Sequence, residues 1–480
     1  MKRTLNIRML LNVIGGLLLL EAFFMIIPLV VSIYYNDGDW SAFAISASAT
    51  ALAGFFLRRV RTDSTRLGKR EGFLLTSSVW LSFCVFGMLP FMLCCNRLDI
   101  CSAFFEAMSG FTTTGATTLN ISLHSVNYGI IMWQSLMQWL GGMGIIVFTL
   151  AIIPGLSSAG GVQMFNAEMT GITRDKLRPR IHQTAISLWG IYFILTVILA
   201  VLLYFGKMNV FEAVCHALCT ISTGGFTYIP ESLANNNSDY VLIITTIFMF
   251  LGGMSFVIIF RAVMLHWTPI SKDSTLKIYI GSIFTFATVF ALYAVATGGV
   301  ETWRDVTIIP LFQVVSIITS TGYIAPNFPI NASFIMALTL IMMFMGGCAG
   351  STSGGAKIDR IVYLKKYLTN EIHRCLHPNA ILAVRVNGST VNSDLVGKTI
   401  SFLCLFVLLI IGGGIVLTML GLPMSESFFT ALSCMCNTGI GYDFSAIPDA
   451  AKWLLAFLML AGRLEIYTVL VLFTRTFWRK

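Results

Sequence analysis

One short pattern occurs four times in the sequence, and each copy ends in a glycine that follows small polar residues. The copies end in Thr112-Thr113-Thr114-Gly115, Ser222-Thr223-Gly224-Gly225, Thr319-Ser320-Thr321-Gly322 and Cys436-Asn437-Thr438-Gly439. A polar residue stands nine positions before each glycine, and a Ser or Cys stands six positions before it. Each copy lies between two apolar stretches long enough to cross a bilayer. Four such loops suffice to surround one axis, which predicts an ion-conducting protein with its filter built from one subunit.

The composition is typical of a membrane protein. The chain of 480 residues is 56% hydrophobic and 11% charged, whereas a soluble domain is nearer one quarter charged. Ten apolar segments span or nearly span a bilayer, near residues 9–33, 41–57, 73–93, 128–153, 183–205, 240–264, 276–298, 332–349, 399–420 and 451–474. The first contains Glu21 and is followed by no small-residue cleavage pattern, so we interpret it as a retained span.

The segments predict an all-α polytopic membrane protein. Two N-terminal transmembrane helices precede four pseudo-symmetric helix–pore-loop–helix repeats around one pore. The predicted boundaries are 1–71 for the leading helices and their basic loop, 72–160, 161–270 and 271–375 for the first three repeats, 376–398 for a cytoplasmic hairpin or linker, and 399–480 for the fourth repeat. Small-residue pairs recur in the second helix of each pair, at Gly141-Gly142, Gly252-Gly253, Gly346-Gly347 and Ala461-Gly462. We expect them to allow close helix packing.

The distribution of charge predicts the orientation. Most of the 31 Lys and Arg residues fall at the termini and in the loops near residues 58–70, 174–180, 261–277 and 357–398, on one side of the predicted spans. The positive-inside rule makes this side cytoplasmic, with both termini there. The net charge of +9 is therefore a topology signal, and nucleic-acid binding would need a basic face on a soluble fold.

The opposite side is predicted to be acidic. Acidic residues there either form a vestibule that concentrates cations or are what the positive-inside rule leaves outside. Glu106, within the first pore loop, favours a functional vestibule.

The repeated tripeptides have the composition that a cation filter requires. Backbone carbonyls replace the water of a dehydrated ion, Gly allows the unusual dihedral angles, and Thr or Ser hydroxyls hold the loop. The candidate K⁺-binding residues are Thr113, Thr114, Gly115, Ser222, Thr223, Gly224, Gly225, Ser320, Thr321, Gly322, Asn437, Thr438 and Gly439. After the glycine the copies diverge, so we expect only approximate fourfold symmetry and few layers of ion sites.

Over essentially its whole length the chain resembles the Trk/Ktr/HKT superfamily of potassium transporters, and specifically its TrkH branch. The stretches from Gly110 to Thr117 and from Cys436 to Gly439 carry the resemblance. Glycine at all four filter positions is what this family associates with K⁺ selectivity, although Ile440 replaces a proline found in many members. The resemblance implies a homodimer in a bacterial inner membrane and an RCK-type, TrkA-like nucleotide-binding cytoplasmic regulator.

Two further features match this family and predict a gate. The stretch from 346 to 357 is rich in Gly and Ser, and such a run cannot remain helical in lipid without a cavity beside it. Arg463 lies deep in the last span, where an isolated Arg costs about 2.5–3.5 kcal/mol. The resemblance implies that Arg463 contacts a gating loop under the filter, with candidate gate residues Gly346, Gly347, Gly350, Gly354, Gly355, Lys357 and Arg463. The alternatives are a phosphate-cradling loop and a static ion pair of Arg463 with Glu465 or Glu21.

Three smaller features complete the sequence reading. Asn387-Gly388 between β-prone residues predicts a hairpin at 384–391, which is either a docking platform or a linker. His373, Cys375 and His377 are close enough in sequence for a metal site to be conceivable. The eleven Cys residues are better explained as buried thiols than as a disulfide framework, although Cys94, Cys95 and Cys101 could pair on an oxidising side.

These observations predict K⁺ uptake across the inner membrane through a gated pore, with no cofactor in this chain and K⁺ as the transported ligand. The alternative is an H⁺- or Na⁺-coupled symporter of monovalent cations. A membrane-embedded enzyme is disfavoured, because the spans carry only Glu21, Arg463 and Glu465 as ionisable candidates and His216 lies in a pore loop.

Overall fold

The computed structural model describes residues 5–60, 68–94, 97–119, 127–144, 181–227, 239–265, 273–298, 302–325, 328–330, 332–379, 382–387, 389–391, 393–441 and 443–478. The predicted basic loop at 174–180, the second part of the span predicted at 128–153 and Cys95 lie outside these residues. The described chain is almost entirely helical, as the sequence predicted.

The two leading helices form a tight antiparallel hairpin. They are α1 (Ile7–Tyr35) and α2 (Trp40–Arg58). They cross closely because Gly15 and Gly54 have no side chains: a Cβ on Gly15 would lie within 3.0 Å of the α2 backbone. Helix α1 also packs against the first repeat, so the leading hairpin is part of the helical core.

The four repeats follow in order. The first contains α3 (Lys69–Gly87), α4 (Leu89–Leu93), α5 (Ile100–Phe111) and α6 (Tyr128–Gly142), and the second contains α7 (Ile181–Phe205), α8 (Val210–Ile221), α9 (Asp239–Gly253) and α10 (Phe256–Val263). The third contains α11 (Ser274–Ala296), α12 (Trp303–Ile318), α13 (Ser333–Met345) and α14 (Ile358–Leu376). The fourth contains α15 (Ser393–Met419), α16 (Met424–Met435), α17 (Asp449–Arg463), α18 (Ile466–Leu470), a 3₁₀ turn (Val471–Phe473) and α19 (Arg475–Trp478).

The membrane spans largely follow the predicted segments. Within the described residues six helices are long and apolar enough to cross a membrane, or up to eight if each of two bent pairs counts as one span. The bent pairs are α9 with α10, at 106°, and α17 with α18, at 116°. The segment predicted at 332–349 is instead the 13-residue helix α13, which stops at Met345 because a glycine-rich stretch follows.

One short helix in each repeat is too short to cross. Helices α5, α8 and α16 each have 12 residues and α12 has 16, which is about 18 Å and about 24 Å at 1.5 Å per residue, against a hydrocarbon core of about 30 Å. Their start points are set by local capping: the Asp99 carboxylate accepts bonds from the first turn of α5, and Asn209 forms a capping box with Glu212 on α8. The chain therefore turns back inside the protein after each of these helices.

The interior is polar where the four short helices end, and the outer surface is apolar. The threonines, serines and asparagine that follow these helices are at most 1% exposed, as Thr113, Ser222 and Asn437 illustrate. The spans instead expose large apolar side chains such as Phe23 and Leu408, both 62% exposed. A polar interior with an apolar surface is expected of a protein in lipid, because there the polar groups must form their hydrogen bonds inside the protein.

A small β-hairpin confirms the prediction at 384–391. Strands β1 (Arg385–Val386) and β2 (Ser389–Thr390) pair antiparallel, with Val386 opposite Ser389. The Asn387 side chain contacts the start of α11: its amide oxygen accepts a bond from the Ser274 N–H at 2.9 Å. The hairpin is thus fixed to the third repeat.

Candidate ion pathway

The four short helices end in the same way. Each is followed by a residue in the left-handed conformation, namely Thr113, Thr223, Ser320 and Asn437, with φ of 57°, 52°, 52° and 53°. The next residue donates its N–H to the carbonyl five residues earlier, at 2.9 Å in all four copies. The left-handed residue donates to the carbonyl three residues earlier. Both bonds together are the Schellman motif, and the residue six before the glycine supplies the main-chain carbonyl that accepts the five-residue bond.

The predicted filter glycines come two residues later and are also left-handed. Gly115, Gly225, Gly322 and Gly439 have φ of 82°, 75°, 85° and 73°. They are partly exposed, while the residues on either side of each are buried. Each of the four glycine loops (residues 112–117, 222–227, 319–324 and 436–441) therefore opens to solvent at its glycine.

The four loops close into one ring in chain order. A Cβ placed on Gly115 would lie within 3.0 Å of the Gly224 carbonyl oxygen, and one on Gly225 would lie equally close to that of Thr321. The same holds for Gly322 against Thr438, and for Gly439 against Thr114. The carbonyls of Thr114, Gly224, Thr321 and Thr438, here called the ring carbonyls, are therefore each packed against the glycine of the preceding loop. A side chain at any of the four glycines would displace a ring carbonyl.

The electrostatics of the ring favour a cation. Four helices end at this level, and the C-terminal end of a helix carries partial negative charge. The oxygens of the ring carbonyls carry further partial negative charge. No basic side chain is among the residues of the four glycine loops. The arrangement can replace part of a cation's hydration shell.

In the first and third copies, the polar residue nine positions before the glycine binds the chain where it leaves the ring. The Glu106 carboxylate accepts bonds from the Thr117 and Thr118 hydroxyls at 2.8 and 2.9 Å and from the Leu119 N–H at 3.2 Å. In the third copy Gln313 accepts from the Ala325 N–H at 2.8 Å. Glu106 is fully buried, so the prediction that it lines an acidic vestibule is wrong. Its position behind the loop allows it to satisfy N–H groups that the irregular backbone leaves without partners.

The stretch from 346 to 357, here called the 346–357 loop, contacts the glycine loops. Its backbone is irregular, with positive φ at Gly346, Gly350, Gly355 and Lys357. The Gly354 N–H donates to the Ser320 hydroxyl at 2.7 Å, and a Cβ on Gly354 would lie within 3.0 Å of the Cys436 carbonyl oxygen.

The second and third loops contact the 346–357 loop through their left-handed residues. The Thr223 hydroxyl donates to that of Thr352 at 3.2 Å, and the hydroxyls of Ser320 and Ser353 are 3.1 Å apart. The loop is therefore packed directly against three of the four copies.

Backbone hydrogen bonds join the two ends of the 346–357 loop. The Ala356 N–H donates to the Phe344 carbonyl and the Ile358 N–H to the Gly347 carbonyl, both at 3.0 Å. On one flank the Cys348 N–H donates to the Gly253 carbonyl at 2.9 Å. Of the predicted gate residues, Gly354 reaches the glycine loops, while Gly346, Gly347, Gly355 and Lys357 lie at these two ends.

Arg463 binds carbonyl groups of the first repeat and of the 346–357 loop. Its guanidinium donates to the carbonyls of Gly141 and Gly142, both at 2.6 Å, and to that of Thr352 at 2.8 Å. The two glycine carbonyls end α6, where a cation is stabilised by the helix dipole. The contact with the loop agrees with what the resemblance implied.

The alternative partners proposed for Arg463 bind elsewhere. Glu465 forms its ion pair with Arg360, whose guanidinium also stacks 4.0 Å over the Phe402 ring. Glu21 lies near Gly87 in the first repeat. Both carboxyl oxygens of Glu21 lack a hydrogen-bond partner within the described residues. The hydrogen bonds described for Arg463 thus join it to carbonyl groups, while the described ion pair of Glu465 is with Arg360.

The glycine pairs of the second helices confirm the predicted close packing. A Cβ on Gly141 would lie within 3.0 Å of the Phe111 carbonyl oxygen, and one on Gly462 equally close to that of Met435. Phe111 and Met435 are the last residues of the short helices in the same repeats. These pairs also mark the points at which the second spans stop, which the sequence pattern did not predict.

The described cysteines and a small cluster of potential ligands bear on the disulfide and metal predictions. All ten described cysteines are free thiols, which agrees with the favoured interpretation. Within the described residues one group of potential metal ligands comes together, Asp99 with Cys101 and Asp449, and it does not include the predicted set near His373. The Lys452 ammonium lies 3.2 Å from Asp449, so this group already holds a positive charge.

Sequence reasoning missed the two glutamines of α6. Gln134 donates to the Glu106 carboxylate at 3.0 Å, and Gln138 donates to the Gly224 carbonyl at 2.6 Å. Their spacing of four residues places both on one face of an otherwise apolar helix. Two buried amides on one face of a membrane span were the signal that could have identified them.

Comparison with known proteins agrees with this geometry. Residues 40–480 match the TrkH family, described as a cation transport protein. The chain is 35% identical to the Trk system potassium uptake protein TrkH of Escherichia coli (strain K12), over 99% of this chain and 100% of that protein. It is 30% identical to TrkG of the same strain, over 99% of both chains. The crystal structure of the potassium transporter TrkH from Vibrio parahaemolyticus superposes with a TM-score of 0.88 at 31% identity, covering 99% of this chain and 100% of that one. The chain therefore belongs to the TrkH family of cation transporters, and not to a family of enzymes.

Proposed function

We propose that this protein takes up K⁺ across a bacterial inner membrane, through a pore whose filter is the ring of four glycine loops. The observation that carries the proposal is the closed ring, in which each glycine packs against the carbonyl of the next loop. The relatives' names, which describe potassium uptake proteins, support K⁺ as the transported ion. K⁺ is the substrate, held by the predicted filter residues, and no cofactor is required.

The proposal assigns the 346–357 loop and Arg463 as the gate. Support comes from the packing of the loop against three glycine loops and from the bonds of Arg463 to Thr352 and to the end of α6. A guanidinium beneath a cation filter opposes conduction, and a loop with little helical preference can move with few packing losses. Release of Arg463 from Thr352 would free the loop.

The proposal also includes a cytoplasmic regulator and a homodimeric assembly. The cytoplasmic face carries the basic loops, both termini, the hairpin and α14, and it binds an RCK-type nucleotide-binding subunit. The protein is a homodimer in which each chain has its own pore. The orientation rests on the charge distribution, since the basic residues favour the cytoplasmic side.

The purified full-length chain in liposomes tests the proposal. With a K⁺ gradient and an ion-sensitive dye, we expect K⁺ flux that exceeds Na⁺ flux under the same driving force. The regulator should be added to separate vesicles, because the gate lowers basal flux. Equal K⁺ and Na⁺ flux, or no flux with and without regulator, would contradict the proposal.

A coupled symporter is the second candidate, and one observation favours it. Glu21 is fully buried in α1, with both carboxyl oxygens lacking a hydrogen-bond partner in the described part of the chain. An intramembrane carboxyl of this kind is a typical proton carrier. A pH-sensitive dye inside the same liposomes distinguishes the two: lumenal acidification that requires external K⁺ supports coupling, and a constant lumenal pH supports a uniport pore.

A further inference from the structure

We propose that Gln138 of α6 is a specificity-determining positioning residue, which replaces in the second glycine loop the threonine that the other three loops place before their glycine. The inference deepens the proposed function and rests on it. It assigns part of the filter to a helix of the neighbouring repeat.

The second loop is the exception among the four. The residue that supplies the ring carbonyl is Thr114, Thr321 or Thr438 in three loops and Gly224 in the second. Gly224 does not have the positive φ that would require glycine. Its backbone therefore does not explain why threonine is absent.

The space around Gly224 explains it. A Cβ on Gly224 would lie within 3.0 Å of three atoms of the Gln138 side chain, its Cδ, Oε1 and Nε2. Gln138 is itself fully buried and both polar atoms of its amide bind the second loop, so moving the amide aside would break these two hydrogen bonds. The amide of Gln138 thus occupies the volume that a threonine side chain would fill.

The hydrogen bonds of Gln138 act on both sides of the filter glycine. Nε2 donates to the Gly224 carbonyl at 2.6 Å, and Oε1 accepts from the Phe226 N–H at 3.3 Å. Gly225 lies between these two bonds. The side chain of another repeat therefore holds the loop immediately before and immediately after its glycine.

In two of the other loops the threonine is held from within its own loop. The Thr114 hydroxyl lies 2.8 Å from that of Thr112, and the Thr321 hydroxyl lies 2.8 Å from that of Thr319. In the second loop Ser222 is at the equivalent position and donates instead to the Cys219 carbonyl at 3.0 Å. Gln138 supplies from outside the support that the first and third loops supply themselves.

The bond to Gly224 has a consequence for the ion. Of the four ring carbonyls, that of Gly224 alone accepts a hydrogen bond within the described residues. A carbonyl oxygen has two lone pairs, so one remains for the ion while the other fixes its direction. Loss of the amide would free this ring oxygen and leave the buried Phe226 N–H without its partner.

The test compares three variants of the full-length protein in liposomes. Gln138→Ala should lower the K⁺ over Na⁺ flux ratio about tenfold, the effect of losing about one net hydrogen bond. Gly224→Thr should lower the ratio at least as much, because the threonine collides with the amide. The double variant Gln138→Ala with Gly224→Thr should recover most of the wild-type ratio, because it gives all four loops a threonine and removes the collision.

Ser135→Ala is the matched control. Ser135 is buried on the same helix, and its hydroxyl donates to the Ile131 carbonyl of its own helix at 2.9 Å. It should keep the wild-type flux ratio. If Gln138→Ala does not fold, Gln138→Met carries the test, because methionine has a similar length but no hydrogen-bond donor, and it should also lower the ratio.

The outcomes separate this inference from the proposed function. A selective wild-type protein whose Gln138 variant matches Ser135→Ala would overturn the inference and leave the pore intact. If the double variant is no more selective than the less selective of the two single variants, the Gln138 amide does not take the place of a threonine in the second loop. A wild-type protein without selective flux would instead contradict the proposed function.

Discussion

Two adjacent layers of the molecule differ in how closely the four repeats agree. In the ring layer, every short helix ends in the same pair of hydrogen bonds, followed by a left-handed residue and a left-handed glycine. In the break layer, where the described second helix of each repeat ends, the repeats agree less closely, and only the second and fourth share a form, a sharp bend. The break is at Gly142 in the first, a 106° bend in the second, the 346–357 loop in the third and a 116° bend after Arg463 in the fourth.

The difference shows where symmetry is physically required. A cation on the axis needs oxygens at similar distances from all sides, so each loop must hold its carbonyl in the same place. No such demand applies to the break layer, where one movable segment and one charge suffice to obstruct a passage. Under the proposed function, the repeats differ where a single gate is needed and agree where four equal contributions are needed.

The left-handed residue after each short helix introduces backbone strain next to the ring. Threonine or serine in this conformation costs about 1–2 kcal/mol relative to glycine. Three of the four loops nevertheless use Thr113, Thr223 or Ser320 there. In the second and third loops the hydroxyl forms a hydrogen bond with the 346–357 loop, which offsets part of this strain. Asn437 in the fourth loop tolerates the conformation better and donates to the Thr114 hydroxyl at 3.0 Å.

Substitution of a ring glycine should have the largest effect, because it breaks the symmetry directly. The serine side chain of Gly322→Ser would collide with the Thr438 ring carbonyl. Such overpacking costs about 3 kcal/mol. If this cost falls on K⁺ binding, the K⁺ over Na⁺ preference drops roughly 150-fold. The flux ratio in liposomes measures it. Gly281→Ser is the control, since no atom lies within 4 Å of a Cβ at that position. A wild-type ratio after substitution of each of the four ring glycines would remove them from the filter.

Loss of Arg463 should have the next largest effect and tests the break layer. Arg463→Ala removes three charge-assisted bonds, and a shift of about 2 kcal/mol towards the open state raises basal K⁺ flux roughly 30-fold. Selectivity should persist, because the ring is untouched. Basal flux without the regulator measures the effect.

Two variants sharpen the interpretation of Arg463. Arg463→Lys keeps the charge but cannot reach all three carbonyls, so raised flux in this variant assigns the gate to the hydrogen bonds and low flux assigns it to the charge. Arg304→Ala, on the predicted outer side, should leave basal flux unchanged. Flux at or below wild type in a correctly inserted Arg463→Ala protein would place the barrier elsewhere.

Deletion of the hairpin should have the smallest effect and leave both layers intact. Removal of residues 384–391 should weaken binding of the RCK-type subunit by roughly tenfold, or about 1.4 kcal/mol, without changing basal selectivity. Titration of the regulator against the purified protein measures the affinity. Unchanged affinity would make the hairpin a linker between the third and fourth repeats.

The sequence alone determined the local features of this protein. Glycine spacing identified the four loops, apolar runs identified most of the spans, and Asn387-Gly388 identified the hairpin. Each depends on a few neighbouring residues, through allowed dihedral angles, burial of apolar segments and turn geometry. The stop of α13 and the irregular loop after it are encoded locally by glycines in the same way.

Only the tertiary structure decided what these features contact. The order of the loops around the ring, the burial of Glu106, the role of Gln138 and the partners of Arg463 all depend on residues far apart in the chain. Arg463 and Gly141 are separated by 322 positions, and Gln138 and Gly224 by 86. No local pattern specifies such pairs, because the free energy that selects them comes from packing four repeats together and satisfying their buried polar groups.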